Sequence, residues 1–224
     1  MKKINIELIF IALLFIGLGL YKNWNTQLLQ ASNLYLLAVV LLSSLAAVYL
    51  RRLSQLFWCY KWGDINLTLK GNKNHYPTEW IDWIGLIVFV FFQFGWGKPL
   101  LSDKTVKNPD RKKRIILLVT GLLVNLIVVF LILMLIPYTE SFSLTLAAFL
   151  KLFAQVNLHY FLISLIPFPP FDLGYLWQSL WSNKSKPQTV EIVGLTLVFI
   201  LIFVNIFPQI LQIVSNKLLY LILA

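Results

Sequence analysis

Across 224 residues the chain is 59% hydrophobic and only 12% charged, with a mean hydropathy of +0.78. That balance excludes a soluble domain, which needs far more polar surface at this size, and reads as an all-α polytopic membrane protein. The net charge of +10 fits basic loops at one membrane face better than a nucleic-acid partner, and a lone Cys59 excludes both an internal disulfide framework and a cysteine-rich metal site.

Met1-Lys2-Lys3 and the apolar run behind it resemble a signal peptide. No small-residue cleavage site follows near Leu20–Asn25, so a retained first helix is expected over about Ile4–Leu20. Tyr21–Asn25 forms a polar turn with interfacial aromatics. A second helix covers Leu34–Leu50, with continuation through Arg51-Arg52-Leu53-Ser54-Gln55 to Lys61 left open. Gly63–Pro77 alternates (Ile65, Leu67, Leu69) as a short strand or hairpin would. Trp80–Phe94 is apolar and runs into Phe94-Gly95-Trp96-Gly97-Lys98-Pro99, followed by a basic loop from Ser102 to Arg114. Further helices are expected over Ile115–Ile136, stopped by Pro137, and over Leu144–Ile166. A short amphipathic piece follows Asp172. Val190–Phe207 and Gln209–Ala224 should then form two helices folded back at Pro208, packed outside the core. The whole is one membrane domain of about five to six crossing helices. It divides into an N-terminal helix and outer turn (1–33), a core (34–176) and a C-terminal helical hairpin (177–224).

The distribution of Lys and Arg orients this domain. The N-terminus carries two, Arg51–Lys73 five, Lys98–Arg114 seven, and Lys184 with Lys186 two more, sixteen of the nineteen in all. A full crossing by Trp80–Phe94 would put the two largest groups on opposite sides, against the positive-inside bias. A re-entrant segment near 80–96 places all sixteen on the cytoplasmic face together with the N-terminus, and Gly85, Gly95 and Gly97 would ease the return. Lys22 and the Pro137–Ser143 turn then face outward.

One stretch organises the rest: Ile163-Ser164-Leu165-Ile166-Pro167-Phe168-Pro169-Pro170-Phe171-Asp172-Leu173-Gly174. Three prolines must break the helix, and broken backbone at membrane depth is tolerated only inside protein or beside a wet cavity. Asp172 is therefore either a functional carboxylate or an interfacial cap for the next helix.

These residues resemble the site-2 proteases, intramembrane zinc metalloproteases, over roughly Leu34 to the C-terminus. Asn157-Leu158 with Ser164–Gly174 looks like the family's Asn-Leu … Asn-Leu-x-Pro-x-x-Pro-x-Asp-Gly-Gly signature. Gly121-Leu122-Leu123-Val124-Asn125 is similar to its Gly-Pro-x-x-Asn helix. Phe94–Pro99 matches a Phe-Gly-Trp-x-Lys-Pro block, and Ile81-Asp82-Trp83-Ile84-Gly85 resembles Ile-Asp-Pro-x-Gly before it. The resemblance implies a protease-like core over 34–176. Activity would be that of a zinc metalloendopeptidase, with His-Glu-x-x-His supplying two zinc ligands and the general base, and the Asp after the prolines as third ligand.

Counted back from Gly63-Asp64, the ligand motif falls on Arg51-Arg52-Leu53-Ser54-Gln55, which holds neither histidine, and Arg52 takes the glutamate's place. Ser164 stands for the usual Asn, Leu122 for Pro and Leu173 for Gly. The degenerate family site is thus Arg51, Arg52, Gln55 and Asp172, with Asn125, Asn157 and Ser164 as cleft polar residues and no catalytic or metal-ligating residue assigned. Zinc is expected in the family but most of its ligands are missing here, so no cofactor is assigned. His75 and His159, the only histidines, and Cys59 read as structural residues. Lys151 reads as snorkelling to the outer interface or as a cavity-facing cation, and Asn125, Gln155 and Asn157 should find partners across helices or in the cleft. A carboxylate left at this depth needs a proton or a cation, so Arg51 or Arg52 is expected on Asp172. The alternative sends both arginines to lipid headgroups.

The expectation for function is a multi-pass pseudoprotease, embedded in the bilayer, that binds or regulates a membrane protein or transmembrane helix. The alternatives are a hydrolase with an unrecognised site, or a transport or assembly subunit.

Overall fold

The computed structural model describes residues 34–62, 81–82, 85, 88, 96–97, 111–168, 171–181, 194, 196–197, 200 and 206–223. The expected first helix, the Gly63–Pro77 hairpin, most of the 80–96 segment and most of the expected Val190–Phe207 helix lie outside these residues. All regular structure among those described is helical: α1 (Leu34–Lys61), α2 (Arg111–Glu140), α3 (Leu144–Ser164), α4 (Asp172–Trp181) and α5 (Ile206–Leu223).

Three helices are long and apolar enough to cross a membrane: Ala38–Lys61 within α1, Lys112–Glu140 within α2, and Leu144–Ser164, which is α3. Even the shortest, 21 residues, spans about 30 Å at 1.5 Å per residue. Their sidedness suits lipid rather than water. Leu42, Phe57, Leu131 and Met134 lie on the outside, while Ser43, Ser44, Arg51, Gln55, Asn125, Asn157 and Asp172 are buried. A soluble bundle would show the reverse.

α1 is one continuous helix that carries Arg51 and Arg52 in its second half rather than ending at Leu50. The serines along it do not interrupt it, because Ser43 and Ser44 donate back to the carbonyls of Val39 and Leu41. α2 differs from expectation at both ends. It begins at Arg111, so the Arg111–Arg114 run is helical rather than loop, and it passes through Pro137 to Glu140. Pro137 is exposed and lies in the last turn, and the bond to the Leu133 carbonyl is forfeited there. Hydroxyls near the terminus cover other free carbonyls there: Thr139 donates to Ile136 O at 2.9 Å and Ser141 to Tyr138 O at 2.8 Å.

A three-residue turn, Ser141–Ser143, makes α2 and α3 antiparallel, and Ser143 caps α3 by accepting from the Leu146 N–H. Val129, Ile132, Leu133 and Ile136 of α2 form a core with Ala154 and Leu158 of α3. α1 lies against both. Ala47 and Val48 pack on Val156 and Tyr160, and Gln55 and Ser54 donate to the carbonyls of Leu117 and Thr120. α1 therefore runs parallel to α3 and antiparallel to α2, and its C-terminal end lies beside the start of α2.

α3 ends at Ser164, two residues before the expected Ile166, because the chain tightens ahead of Pro167: Leu165 N–H bonds Leu162 O and Ile166 N–H bonds Ile163 O. A bond from Phe171 N–H to Phe168 O turns the chain, and α4 starts at Asp172. α5 begins at Ile206, which puts Pro208 in its first turn, where a missing N–H costs nothing. It packs on α3 and α2, with Leu211 and Ser215 buried.

Candidate functional site

The proline break delivers Asp172 into the angle between α1, α2 and α3. Its carboxylate accepts from the guanidinium of Arg51 on α1, and both residues are buried. Arg52, the other arginine expected near this carboxylate, is half-buried and turned about 100° round the helix from Arg51. Among the described residues the second oxygen of Asp172, Oδ2, is buried without a hydrogen-bond partner.

Close approach of α1 to α2 is what brings Arg51 inside. A Cβ on Gly121 would lie 2.5 Å from Gln55 Nε2 and 3.3 Å from Arg51 Cγ, so no larger residue fits opposite these side chains as they stand. With that space open, Gln55, one turn after Arg51, reaches the Leu117 carbonyl at 3.2 Å. Gln55 thus ties α1 to α2 and its amide nitrogen is turned to a backbone carbonyl.

A second set of residues supports the proline loop from the other side. Asp82 accepts from Trp96 Nε1 at 2.9 Å and from the Gly85 N–H at 3.3 Å. A Cβ on Gly85 would lie 2.1 Å from the Trp96 carbonyl oxygen, a backbone clash that excludes every other residue without a shift of the chain. Trp96 in turn meets Phe171 edge to face, centroids 5.6 Å apart, and Gly97 sits against Val48 of α1. Residues 82, 85, 96 and 97 therefore form a buttress behind Phe171, the neighbour of Asp172. Sequence reasoning singled out these motifs but assigned no role to Trp96, Phe171 or Gly121. A tryptophan between two glycines, fourteen residues after an Asp, was the available signal for the buttress.

Asn125 and Asn157 show no cross-helix partner among the described residues. Asn157 turns back on its own helix, donating to Phe153 O at 2.9 Å, and its Oδ1 has no partner. Asn125, one turn beyond Gly121 on α2, is buried with both amide atoms unpartnered among the described residues. Ser164 donates to Tyr160 O at 2.8 Å. Among the described residues neither asparagine bridges helices; what they share is burial and spare hydrogen-bonding capacity.

Do these residues suit a zinc ion? Zinc needs three or four lone-pair donors at about 2 Å. Asp172 offers one free oxygen, and Arg51 beside it has five N–H donors and no lone pair to give. His159 is on α3, its Nε2 3.1 Å from Ser215 Oγ of α5, and Cys59 is packed with Leu117. Among the described residues no three His, Cys, Asp or Glu side chains come together; His75 lies outside them. The donor set does not fit the metal. Lys151 is also accounted for: its ammonium reaches the exposed Glu140 carboxylate at the end of α2.

The fold and the site define a helical protein with three helices long and apolar enough to cross a membrane, and with a carboxylate and a guanidinium paired in its interior. Over 182 residues, 77% of this chain and 83% of the other, the sequence is 24% identical to "Putative zinc metalloprotease YwhC" of Bacillus subtilis (strain 168). No family model matches the chain, and no solved structure gives a significant match.

Proposed function

We propose that this chain is a degenerate, site-2 protease-like membrane core that binds or regulates a transmembrane partner rather than hydrolysing it. The observation that carries the reading is the Arg51–Asp172 pair. In the aligned motif Arg51 falls at a zinc-binding histidine, and its fixed positive charge supplies what the carboxylate would otherwise draw from a metal. It supplies no Lewis-acid site and no bound water to activate. Similarity to a protein named as a zinc metalloprotease supports the ancestry. The unpartnered amides of Asn125 and Asn157 support a cleft that still has polar capacity to offer a guest helix. The shared end of α1 and α2 supports a re-entrant path for residues near 80–96.

The test is photocrosslinking from Asn125 and Asn157 in native membranes, paired with a cleavage assay on whatever is captured. A transmembrane segment recovered intact from both positions is the expected result. Recovery of cleaved product that disappears in Asp172→Ala would replace this reading with that of a working hydrolase.

A further inference from the structure

The joined ends of α1 and α2 carry a feature that the Arg51–Asp172 site does not use. Trp58 and Trp62 stand one turn apart near the end of α1, ring centroids 5.7 Å apart, packed on the buried Cys59 and Leu117. A lysine from each helix covers them: Lys61 Nζ lies 5.1 Å from the Trp58 ring centroid, and Lys113 Nζ of α2 lies 5.6 Å from that of Trp62. Lys112 and Arg114 flank Lys113 in the opening turns of α2.

Two features of this cluster are unfavourable in isolation. Helix N-termini attract acids and repel cations, yet the first turn of α2 has no acid and opens with Arg111-Lys112-Lys113-Arg114. Lys61 and Lys112 are exposed and make no ion pair among the described residues. The described carboxylates are engaged elsewhere: Glu140 with Lys151, Asp172 with Arg51, and Asp82 with Trp96. A cation cluster raised on a tryptophan platform, at the end of two membrane-spanning helices, sits at headgroup level. There the abundant counter-charge is lipid phosphate.

We propose that Trp58, Lys61, Trp62, Lys112 and Lys113 form a binding site for the phosphate of an anionic phospholipid. The tryptophan rings lie along the upper acyl chain and glycerol, and the two lysine ammoniums with Lys112 hold the phosphate. The site fastens the end of α1 to that of α2 through the lipid they share, and it is independent of what the Arg51–Asp172 pair does.

The full chain is reconstituted in phosphatidylcholine vesicles containing a minor fraction of brominated phosphatidylglycerol or, in parallel, brominated phosphatidylcholine. Quenching assigned to Trp58 and Trp62 by difference from the Trp58→Phe/Trp62→Phe variant should be stronger with the brominated anionic lipid. Each of Lys61→Gln, Lys112→Gln and Lys113→Gln should weaken that preference by about fivefold, from the ~1 kcal/mol carried by a basic residue at a membrane surface. Lys151→Gln, at the opposite end of the bundle, should leave it unchanged and shows that the effect is local. Equal quenching by the two lipids, or a triple lysine variant that keeps the preference, overturns the proposal. Displacement by soluble glycerol phosphate at millimolar concentration would also overturn it, by making the ligand a free phosphate rather than a lipid.

Discussion

Arg51 and Asp172, 121 positions apart in the sequence, meet in the interior of the bundle, where the guanidinium donates to the carboxylate. Neither has another described charged partner at that site. The pair fixes the proline loop to the middle of α1, and two glycines decide whether it can form: Gly121 lets α1 approach α2, and Gly85 lets the Trp96 buttress close behind Phe171.

Breaking the pair on one side should cost far more than removing it whole. Asp172→Ala leaves a buried guanidinium and Arg51→Leu a buried carboxylate, each at about 3–5 kcal/mol for an uncompensated buried charge. The double variant Arg51→Leu/Asp172→Leu should recover most of that loss, because desolvation offsets much of the attraction in the intact pair. Unfolding in detergent measures the three; additive losses would mean that the two residues do not act together.

The two glycines should respond unequally. Gly85→Ala puts a methyl against a backbone carbonyl that can move only with the chain, so a loss at the upper end of the overpacking range, about 3 kcal/mol, is expected. Gly121→Ala meets the end of a side chain. Gln55 can swing away at the expense of its bond to Leu117 O, for about 1 kcal/mol. Thermal stability in one detergent ranks the two; Gly121→Ala falling below Gly85→Ala would contradict the packing described.

Much of this arrangement was legible in the sequence, for reasons that can be located. The proline run announced the end of α3, a carboxylate so close to apolar helices demanded a cation, and the register implied by the family resemblance put Arg51 and Arg52 opposite it. Helix phase, which the sequence left open, then selected Arg51. Pro137 misled because a proline's cost depends on its place: it sits in the last turn of α2, where only a few residues of helix follow it. Where the asparagine amides point was not legible, because an amide N–H can turn to its own helix, as that of Asn157 does, and pattern alone does not report that. The contacts of Trp96 with Asp82 and Phe171 are tertiary and had no periodic trace.

Ser215 of α5 meets His159 of α3 within a largely apolar interface among the described residues. Ser215→Ala removes the partner of His159 Nε2 and should cost about 1 kcal/mol. Amide exchange should rise in Ile206–Leu223 while α1–α3 stay protected. Uniform loss of protection across the bundle would mean that α5 is part of the core rather than an addition to it.

The ends of the helices also make a topological prediction. With Cys59 replaced by alanine, single cysteines at positions 61 and 112 should label from the same side of the membrane, and one at 140 from the other. Labelling of 61 and 112 from opposite sides would contradict the joined ends of α1 and α2.

The zinc content of the purified full-length protein tests the central claim most directly. With Arg51 seated on Asp172, metal analysis after purification without chelators should find zinc at background level, unchanged in Asp172→Ala. One zinc per chain, lost in Asp172→Ala, would show that the carboxylate serves a metal and that the guanidinium does not stand in its place.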